Sequence, residues 1–250
     1  MPEYSPGTPM WIDLGTSDVE ASKRFYGGLF GWQTQDLGPE AGGYGFFTLN
    51  GKMVGGVGPL MNPQQPPAWS TYISTSDAEA TARSAQEAGG TVVVQPMDVM
   101  GQGKMSAFTD PSGAYIAAWQ PIQHSGAEVI NEPNSYCWTE LATRDIETAK
   151  RFYPRVFGWG AETNQNYTEW KVGGRSVAGA MPMSDQMPAN VPPHWLVYFA
   201  VADCDASANR AQELGANVMV PPMDVPVGRF AVLGDPQGAR FGIIKLSGQM

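Results

Sequence analysis

The chain has 250 residues, of which 24 are acidic and 15 are basic, so its formal net charge is −9. This length suits one large domain or two small ones, and a hydrophobic content of 42% is enough to build one or two cores. Nucleic acids and anionic membranes attract surfaces rich in lysine and arginine, so the negative charge argues against both as partners.

The cysteines and the N-terminus carry little sign of export. Cys137 and Cys204 form no CxxC pair and have no histidine nearby in sequence, so we expect reduced, buried thiols rather than a disulfide scaffold or a nucleophile. The first residues have neither the basic region nor the apolar run of a signal peptide. No segment approaches the roughly 20 apolar residues that span a bilayer. We therefore expect a soluble, cytoplasmic protein.

The first quarter of the chain predicts a strand, a helix and a hairpin. Residues 11–16 are typical of a strand, and Asp18 is placed to cap a helix that ends at Gly31. Two strand-like runs follow over residues 45–57 and are joined at Asn50-Gly51, which is a strong hairpin signal.

The second quarter predicts the same order of elements. A strand over 69–75 precedes a helix that Asp77 caps and that ends at Gly89-Gly90. Three further strands are predicted between residues 91 and 119, with a turn at 110–113.

The second half of the chain repeats the first. Four blocks that begin at residues 24, 66, 96 and 110 recur at residues 151, 192, 222 and 235, with offsets of 127, 126, 126 and 125. Such steady offsets indicate a tandem duplication. The prediction is an α+β fold of four βαβββ units in two domains, at residues 9–121 and 135–247, joined by an aperiodic linker at 122–134.

The repeated blocks resemble a known superfamily. Each half has a strand, a capping Asp, a helix that holds Phe-Tyr and ends in Phe-Gly-Trp, and a late Asp-Pro-x-Gly turn, at 24–32 and 110–113 in the first half. This pattern resembles the vicinal-oxygen-chelate superfamily of glyoxalase I, extradiol dioxygenases, fosfomycin-resistance enzymes and bleomycin-resistance proteins. The resemblance covers almost the whole chain and implies paired units that curl into cups, with the ligand inside. It does not choose the chemistry.

The positions at which the resemblance implies metal ligands hold unsuitable residues. In the first half they are Trp11, Ser70 and Ala117, and in the second half they are Trp138, Leu196 and Gly242. Divalent ions need imidazole, thiolate, carboxylate or several oxygen ligands. We therefore predict no metal site and no cofactor, unless carboxylates such as Asp13 and Glu140 contribute ligands.

Strand alternation predicts which side chains line each cup. The predicted ligand-binding residues are aromatic or polar groups of inner parity, with loop methionines and one histidine added to them: Trp11, Ser70, Tyr72, Tyr115, Trp119, Trp138, Tyr198, Met53, Met105 and His194. Methionine is flexible and polarisable, and it suits flat apolar ligands. Core filling is the alternative interpretation of the methionines and of each aromatic.

Asp13 and Glu140 are the candidate catalytic residues, because each copy has a carboxylate two residues after the strand tryptophan. A buried, unpaired carboxylate is costly or has a shifted pKa. The alternative is that each one pairs with an arginine such as Arg175 or Arg229, or lies exposed at a strand end. The Gly55-Gly56 and Gly173-Gly174 pairs lack the following helix of a phosphate loop and indicate bulges or close strand packing.

Three functions remain open. The first is metal-free binding of a small aromatic or hydrophobic metabolite, as the resemblance to bleomycin-resistance proteins implies, in antibiotic binding, resistance or tailoring. The second is a metal-free lyase or isomerase that uses a cup carboxylate as general acid or base on a carbonyl or polyketide-like substrate. The third is a protein-interaction module, which no sequence feature supports. Because single-copy relatives usually pair, we expect the fused chain to be a monomer.

Overall fold

The computed structural model describes residues 2–184 and 187–248. Within these residues the chain forms two eight-stranded mixed sheets with four helices, the first sheet from residues 9–121 and the second from residues 136–246. This arrangement confirms the predicted α+β fold of two cup-shaped domains. None of the described helices is both long and apolar enough to cross a membrane.

The first half has two helices and eight strands: β1 (Pro9–Thr16), α1 (Val19–Phe30), β2 (Gln33–Asp36), β3 (Gly45–Leu49), β4 (Lys52–Pro59), β5 (Ala68–Ser74), α2 (Ala78–Glu87), β6 (Thr91–Asp98), β7 (Gly103–Thr109) and β8 (Tyr115–Pro121). The second half repeats this order: β9 (Tyr136–Thr143), α3 (Ile146–Phe157), β10 (Gly160–Asn164), β11 (Tyr167–Val172), β12 (Arg175–Pro182), β13 (His194–Ala200), α4 (Cys204–Glu213), β14 (Asn217–Val225), β15 (Gly228–Gly234) and β16 (Arg240–Leu246).

Each sheet joins two βαβββ units side by side. In the first sheet the strand order is β2-β3-β4-β1-β5-β8-β7-β6, with β1 parallel to β4 and antiparallel to β5. The second sheet has the same order. Each cup therefore forms within one half of the chain.

All four helices begin with the same cap. Asp18, Asp77, Asp145 and Asp203 each accept a hydrogen bond from the backbone N–H three residues later, at 2.9 Å. Such a cap stabilises a helix by about 1 kcal/mol. The predicted caps at Asp18 and Asp77 are confirmed.

Two edge strands fall outside the predicted pattern. β2 and β10 consist of exposed residues, mostly polar, with no apolar alternation. They pair only with β3 and β11 at the sheet edges. Backbone hydrogen bonding to a neighbouring strand, rather than burial of a face, is what forms them.

The convex faces of the two sheets pack against each other. One apolar cluster joins Phe25 and Phe30 of α1 to Phe199 and Phe241 of the second sheet. A second cluster joins Phe108 of the first sheet to the side chains of α3. The helices and the outer strand faces therefore build the shared core, and the two concave faces remain separate.

The repeated sequence blocks meet across this interface. Tyr26 donates to Asp235 at 3.1 Å, and Tyr153 donates to Asp110 at 2.8 Å. Trp69 donates to the Tyr26 hydroxyl, and the matching Trp195 donates to Tyr153, both at 2.9 Å. The Phe-Tyr and Asp-Pro-x-Gly motifs therefore bind one copy to the other and lie on the side of each sheet away from the cup.

Candidate functional site

The concave faces, called the first cup and the second cup below, are lined as strand alternation predicts. Trp11, Tyr72, Ala117 and Trp119 cluster on the inner face of the first sheet, whereas Ile12 and Leu14 pack outward. In the second sheet Trp138, Leu196, Tyr198 and Ile244 form the matching inner cluster.

A carboxylate network lies on the floor of the first cup. Asp13 Oδ2 accepts hydrogen bonds from the hydroxyls of Tyr72 at 2.9 Å and Tyr44 at 3.3 Å. Trp11 Nε1 in turn donates to the Tyr44 hydroxyl at 3.1 Å. Three rings therefore position one carboxylate, and both of its hydrogen-bond partners are potential proton donors.

The second cup repeats this network around Glu140. The Tyr198 hydroxyl donates to Glu140 Oε1 at 3.2 Å, and Trp138 Nε1 donates to the Tyr167 hydroxyl at 2.9 Å. The Tyr167 hydroxyl lies near enough to Glu140 to lower the pKa of that carboxyl, against the rise that burial causes. Since Tyr44 and Tyr167 occupy matching places, the network is a property of the repeat.

A glycine in each sheet makes room for the second tyrosine. Gly56 lies beside Asp13 on β4, and Gly179 lies beside Glu140 on β12. A Cβ atom at Gly56 would overlap the Tyr44 hydroxyl, and one at Gly179 would overlap the Tyr167 hydroxyl. The expectation of close packing at Gly55-Gly56 is met at Gly56, because only a residue without a side chain lets the phenol reach the carboxylate.

Burial perturbs both carboxylates. It raises the pKa of Asp13 to about 6, and the hydroxyl bonds from Tyr72 and Tyr44 oppose that rise. Burial also raises the pKa of Glu140 above its ordinary value, again against two tyrosine donors. Removal from water disfavours the charged form of an acid, so each carboxyl is easier to protonate than in solution.

The alternative that Asp13 and Glu140 pair with arginines such as Arg175 or Arg229 is wrong. Arg229 forms its ion pairs with Asp205 at 2.7 Å and Asp224 at 3.0 Å. Among the described residues, Asp13 and Glu140 form no ion pair with a basic side chain. Tyrosine hydroxyls, which are neutral, take that place.

Three further predicted residues, Tyr115, Ser70 and His194, lie on strands of the two cups. Tyr115 is half-buried on β8, and the charge of Asp13 contributes to raising the pKa of its phenol, after burial itself. Ser70 pairs with Asp13 across β5 and β1. His194 is half-buried at the start of β13, with Nδ1 2.9 Å from the Pro192 carbonyl oxygen.

Met53 and Met105 lie in strands rather than in loops, whereas Met61, Met100, Met183 and Met187 lie outside the strands. Met53 belongs to β4 and Met105 to β7, and both pack partly against the inner cluster of the first cup. Met97 pairs with Met105 at the exposed β6 edge.

The segment predicted as a linker packs against one end of the first cup. Residues 122–130, called the strap below, begin at the Gln102 carbonyl, which accepts from three successive backbone N–H groups. Further along, Ala127 N donates to the Met10 carbonyl at 2.9 Å, and Glu128 N donates to the Met53 carbonyl at 2.7 Å. The Glu128 carboxylate accepts from Met53 N at 2.7 Å. The strap therefore connects the ends of β1 and β4.

His124 holds the strap against the aromatic wall of the first cup. Its ring lies 4.3 Å from the ring of Trp11 and 5.7 Å from Phe46, and Trp119 Nε1 donates to its carbonyl at 3.0 Å. The side chain is 8% exposed and its Nε2 has no hydrogen-bond partner among the described residues. Burial lowers the pKa of His124 to about 4.

Sequence reasoning missed Tyr44, Tyr167 and His124. The copy offset is 127 at Trp32 and Trp159 but 123 at Tyr44 and Tyr167, because the first copy has four more residues before β3. Aligning the copies across that insertion would have paired the two tyrosines. His124 had no signal, since it lies in an aperiodic segment outside both repeats.

The residues present do not fit a resident divalent metal. Among residues 2–184 and 187–248, no three His, Cys, Asp or Glu side chains come close enough to hold an ion. Each cup floor offers one carboxylate that already accepts from tyrosines, beside indole rings and small neutral groups. Zinc and harder ions need three or more suitable donors from the protein or a well-hydrated carboxylate pair.

Comparison with known proteins identifies the family. The model of the Glyoxalase/Bleomycin resistance protein/Dioxygenase superfamily matches residues 9–118 and 138–243. The chain belongs to this superfamily. The two matched segments coincide closely with the two sheets, so each sheet is one copy of the family domain.

Similar curated proteins span the whole chain. The Anthracycline biosynthesis protein DnrV of Streptomyces peucetius is 43% identical over 265 residues and covers 98% of this chain and 96% of its own. The Putative glyoxylase CFP32 of Mycobacterium tuberculosis is 42% identical over 254 residues and covers 97% and 96%. Both relatives therefore share the tandem arrangement.

Solved structures share the fold at low identity. The Mn(II)-bound glyoxalase from Novosphingobium aromaticivorans aligns with a TM-score of 0.64 at 14% identity, over 98% of this chain and 86% of that one. The 2,3-dioxygenase LapB from Pseudomonas sp. KL28 aligns with a TM-score of 0.65 at 14% identity, over 100% and 94%. At this identity the likeness concerns architecture alone.

Proposed function

We propose that this chain is a metal-independent member of its superfamily that binds a small, planar aromatic metabolite in its cups. The observation that carries the proposal is the repeated network in which two tyrosines and a tryptophan surround one half-buried carboxyl in each cup. Aromatic walls stack on a flat ligand, and the carboxyl takes a hydroxyl or a cationic amine from it.

The donor set supports metal independence. Where the family resemblance implies metal ligands, this chain has Trp11 and Trp138, together with side chains that lack strong donor atoms. A ligand that enters therefore meets ring faces and phenol hydroxyls rather than a Lewis acid.

The names of the relatives agree with an aromatic ligand. One relative is called an anthracycline biosynthesis protein, and an anthracycline is a fused-ring aromatic polyketide. Antibiotic binding, resistance or tailoring is the role that we propose for this chain on that basis. We also propose that it acts as a monomer, because its two halves already pack convex face to convex face as two single-domain subunits would.

Tryptophan fluorescence tests the binding proposal. The probe is 2,6-dihydroxyanthraquinone, which is planar and whose hydroxyls lie too far from the quinone oxygens to chelate a metal. We expect saturable quenching that Asp13→Asn, Glu140→Gln or both weaken at least fivefold. Glu87→Gln, an exposed change on α2, is the matched control and should bind as the unmodified chain does. Unchanged affinity in the double variant Asp13→Asn/Glu140→Gln would contradict the proposal.

A second candidate function is a metal-free lyase or isomerase. The observation that favours it is the pKa of Asp13, which burial raises to about 6, near the optimum for general acid–base catalysis at neutral pH. In the first cup Asp13 would take a proton from carbon and the hydroxyl of Tyr72 would stabilise the oxyanion that forms, and in the second cup Glu140 and Tyr198 would play the same parts.

Proton exchange separates this function from simple binding. In D2O, NMR follows loss of the acidic C1 protons of 2-tetralone, a neutral carbon acid fused to an aromatic ring. The enzyme hypothesis predicts exchange above the buffer rate that Asp13→Asn abolishes and Glu87→Gln preserves. Exchange at the buffer rate, with binding intact, would reject it and leave the binding function alone.

A further inference from the structure

The two cups share one network but place different side chains next to it. On the inner face, β5 carries Ser70 beside Asp13, whereas β13 carries Leu196 beside Glu140. One strand further, the first inner residue is Tyr115 on β8 and Arg240 on β16. Arg240 thus stands where the first cup has a phenol.

Strand register places Arg240 within reach of a ligand bound at Glu140. Leu196 pairs with Glu140, and Tyr198 pairs with Gly242, so Arg240 lies two residues before Gly242 on the same face. The strands β9, β13 and β16 are adjacent, so the Glu140 and Arg240 backbones are about 10 Å apart. Two or three fused aromatic rings span such a distance.

The charge of Arg240 is available to a ligand. Its side chain is exposed, and within residues 2–184 and 187–248 it makes no ion pair. The inner-face side chains of the first sheet described above include no basic group. Only the second cup therefore presents a guanidinium on its concave side next to the carboxylate network.

His194 completes this edge of the second cup. His194 on β13 pairs with Ala142 of β9, which is two residues after Glu140 on that strand. Burial and the neighbouring Arg240 charge both lower the pKa of His194. A neutral imidazole that donates through Nδ1 to the Pro192 carbonyl leaves Nε2 to accept a hydrogen bond from a ligand hydroxyl.

We propose that the second cup, unlike the first, selects a planar aromatic acid, with Arg240 as the specificity-determining residue that binds its carboxylate. This inference rests on the proposed binding function. The planar guanidinium fork matches a carboxylate in a bidentate manner, which a phenol such as Tyr115 does not. Glu140, two strands away, takes the hydroxyl at the opposite end of the ligand.

A matched pair of probes tests the inference by isothermal titration calorimetry. The acid is 6-hydroxy-2-naphthoate and the neutral comparison is 6-hydroxy-2-naphthamide. The intact chain should bind the acid at least tenfold more tightly than the amide. Arg240→Gln should remove that preference and keep the affinity for the amide, and Arg240→Lys should restore part of it. Arg83→Gln, which removes the same charge from the exposed face of α2, should leave the preference unchanged.

Two results would overturn the inference. One is equal affinity of the intact chain for the acid and the amide, or the absence of binding to both. The other is an acid preference that survives Arg240→Gln. In both cases the proposed binding function is judged separately, by the quenching of tryptophan fluorescence with 2,6-dihydroxyanthraquinone.

Discussion

The first and second cups hold the same carboxylate network in different surroundings. In the first, the strap brings His124 and Ala127 against Trp11, which is 4% exposed. In the second, every member of the described inner cluster comes from the sheet itself, and Trp138 is only half-buried. The two copies thus share the carboxylate network but differ in the side chains that surround it. Under the proposed binding function, the shared floor predicts a shared mode of ligand contact, and the different walls predict different ligand preferences.

Truncation of the two strand tryptophans should give the largest difference between the cups. Trp11→Ala removes a ring packed by the strap and should cost about 3–5 kcal/mol of unfolding free energy. Trp138→Ala removes a half-buried ring and should cost about 1–3 kcal/mol. Urea unfolding of both variants measures the difference. Equal losses would mean that the strap adds no packing to the first cup.

Acid should destabilise the first cup through His124. Its folded pKa of about 4 lies below the unfolded value of about 6.5. The unfolded state therefore binds more protons, and stability falls as the pH drops from 6.5 to 4, by roughly 3 kcal/mol in total. His124→Gln should remove this loss.

Comparison of the variant with the unmodified chain isolates His124, since both retain Asp13, which titrates in the same range with the opposite sign. His194→Gln, in the second cup, is the control and should change the pH profile less because that ring is half-buried. Superimposable pH profiles of urea unfolding for His124→Gln and the unmodified chain would refute the assignment.

The cup carboxylates should have a smaller effect of opposite sign. Because the folded pKa of Asp13 is raised to about 6 from 3.8, stability is lost as the pH rises through that interval. Asp13→Asn should therefore stabilise the chain at pH 8 by about 1–2 kcal/mol, after allowance for solvent screening, and should be neutral near pH 3.5. Glu140→Gln should act in the same direction. Chemical denaturation at the two pH values checks both, and a loss of stability at pH 8 would show that the charged forms stabilise the cups.

Local patterns predicted the fold well, because each element carries its own signal. The aspartate caps, the Asn50-Gly51 turn and the alternation through Trp11 and Asp13 are all set by neighbouring residues. The site was predicted only in part. Trp11, Asp13 and Tyr72 share one network because strand pairing aligns them, but Tyr44 reaches it from outside a strand, over Gly56. Such a contact depends on the tertiary path of a loop, which no short-range pattern contains.

The strap illustrates the same limit. Its composition is that of a linker. Main-chain hydrogen bonds to Met10 and Met53 hold it against the first cup, and bonds of this kind do not depend on the side chains of the strap. The strap covers one side of the first cup because it leaves the end of β8 next to that cup.

The most direct test of the central claim is a titration of the purified chain with 1,2-dihydroxyanthraquinone, whose vicinal oxygens can chelate a metal, first in excess EDTA and then, after the EDTA is removed, with added Mn(II). If the tyrosine-held carboxyls bind the ligand without a metal, the affinity will be the same in both conditions, and it will fall in Asp13→Asn/Glu140→Gln. Binding that appears only with Mn(II), and that persists in the double variant, would contradict the account.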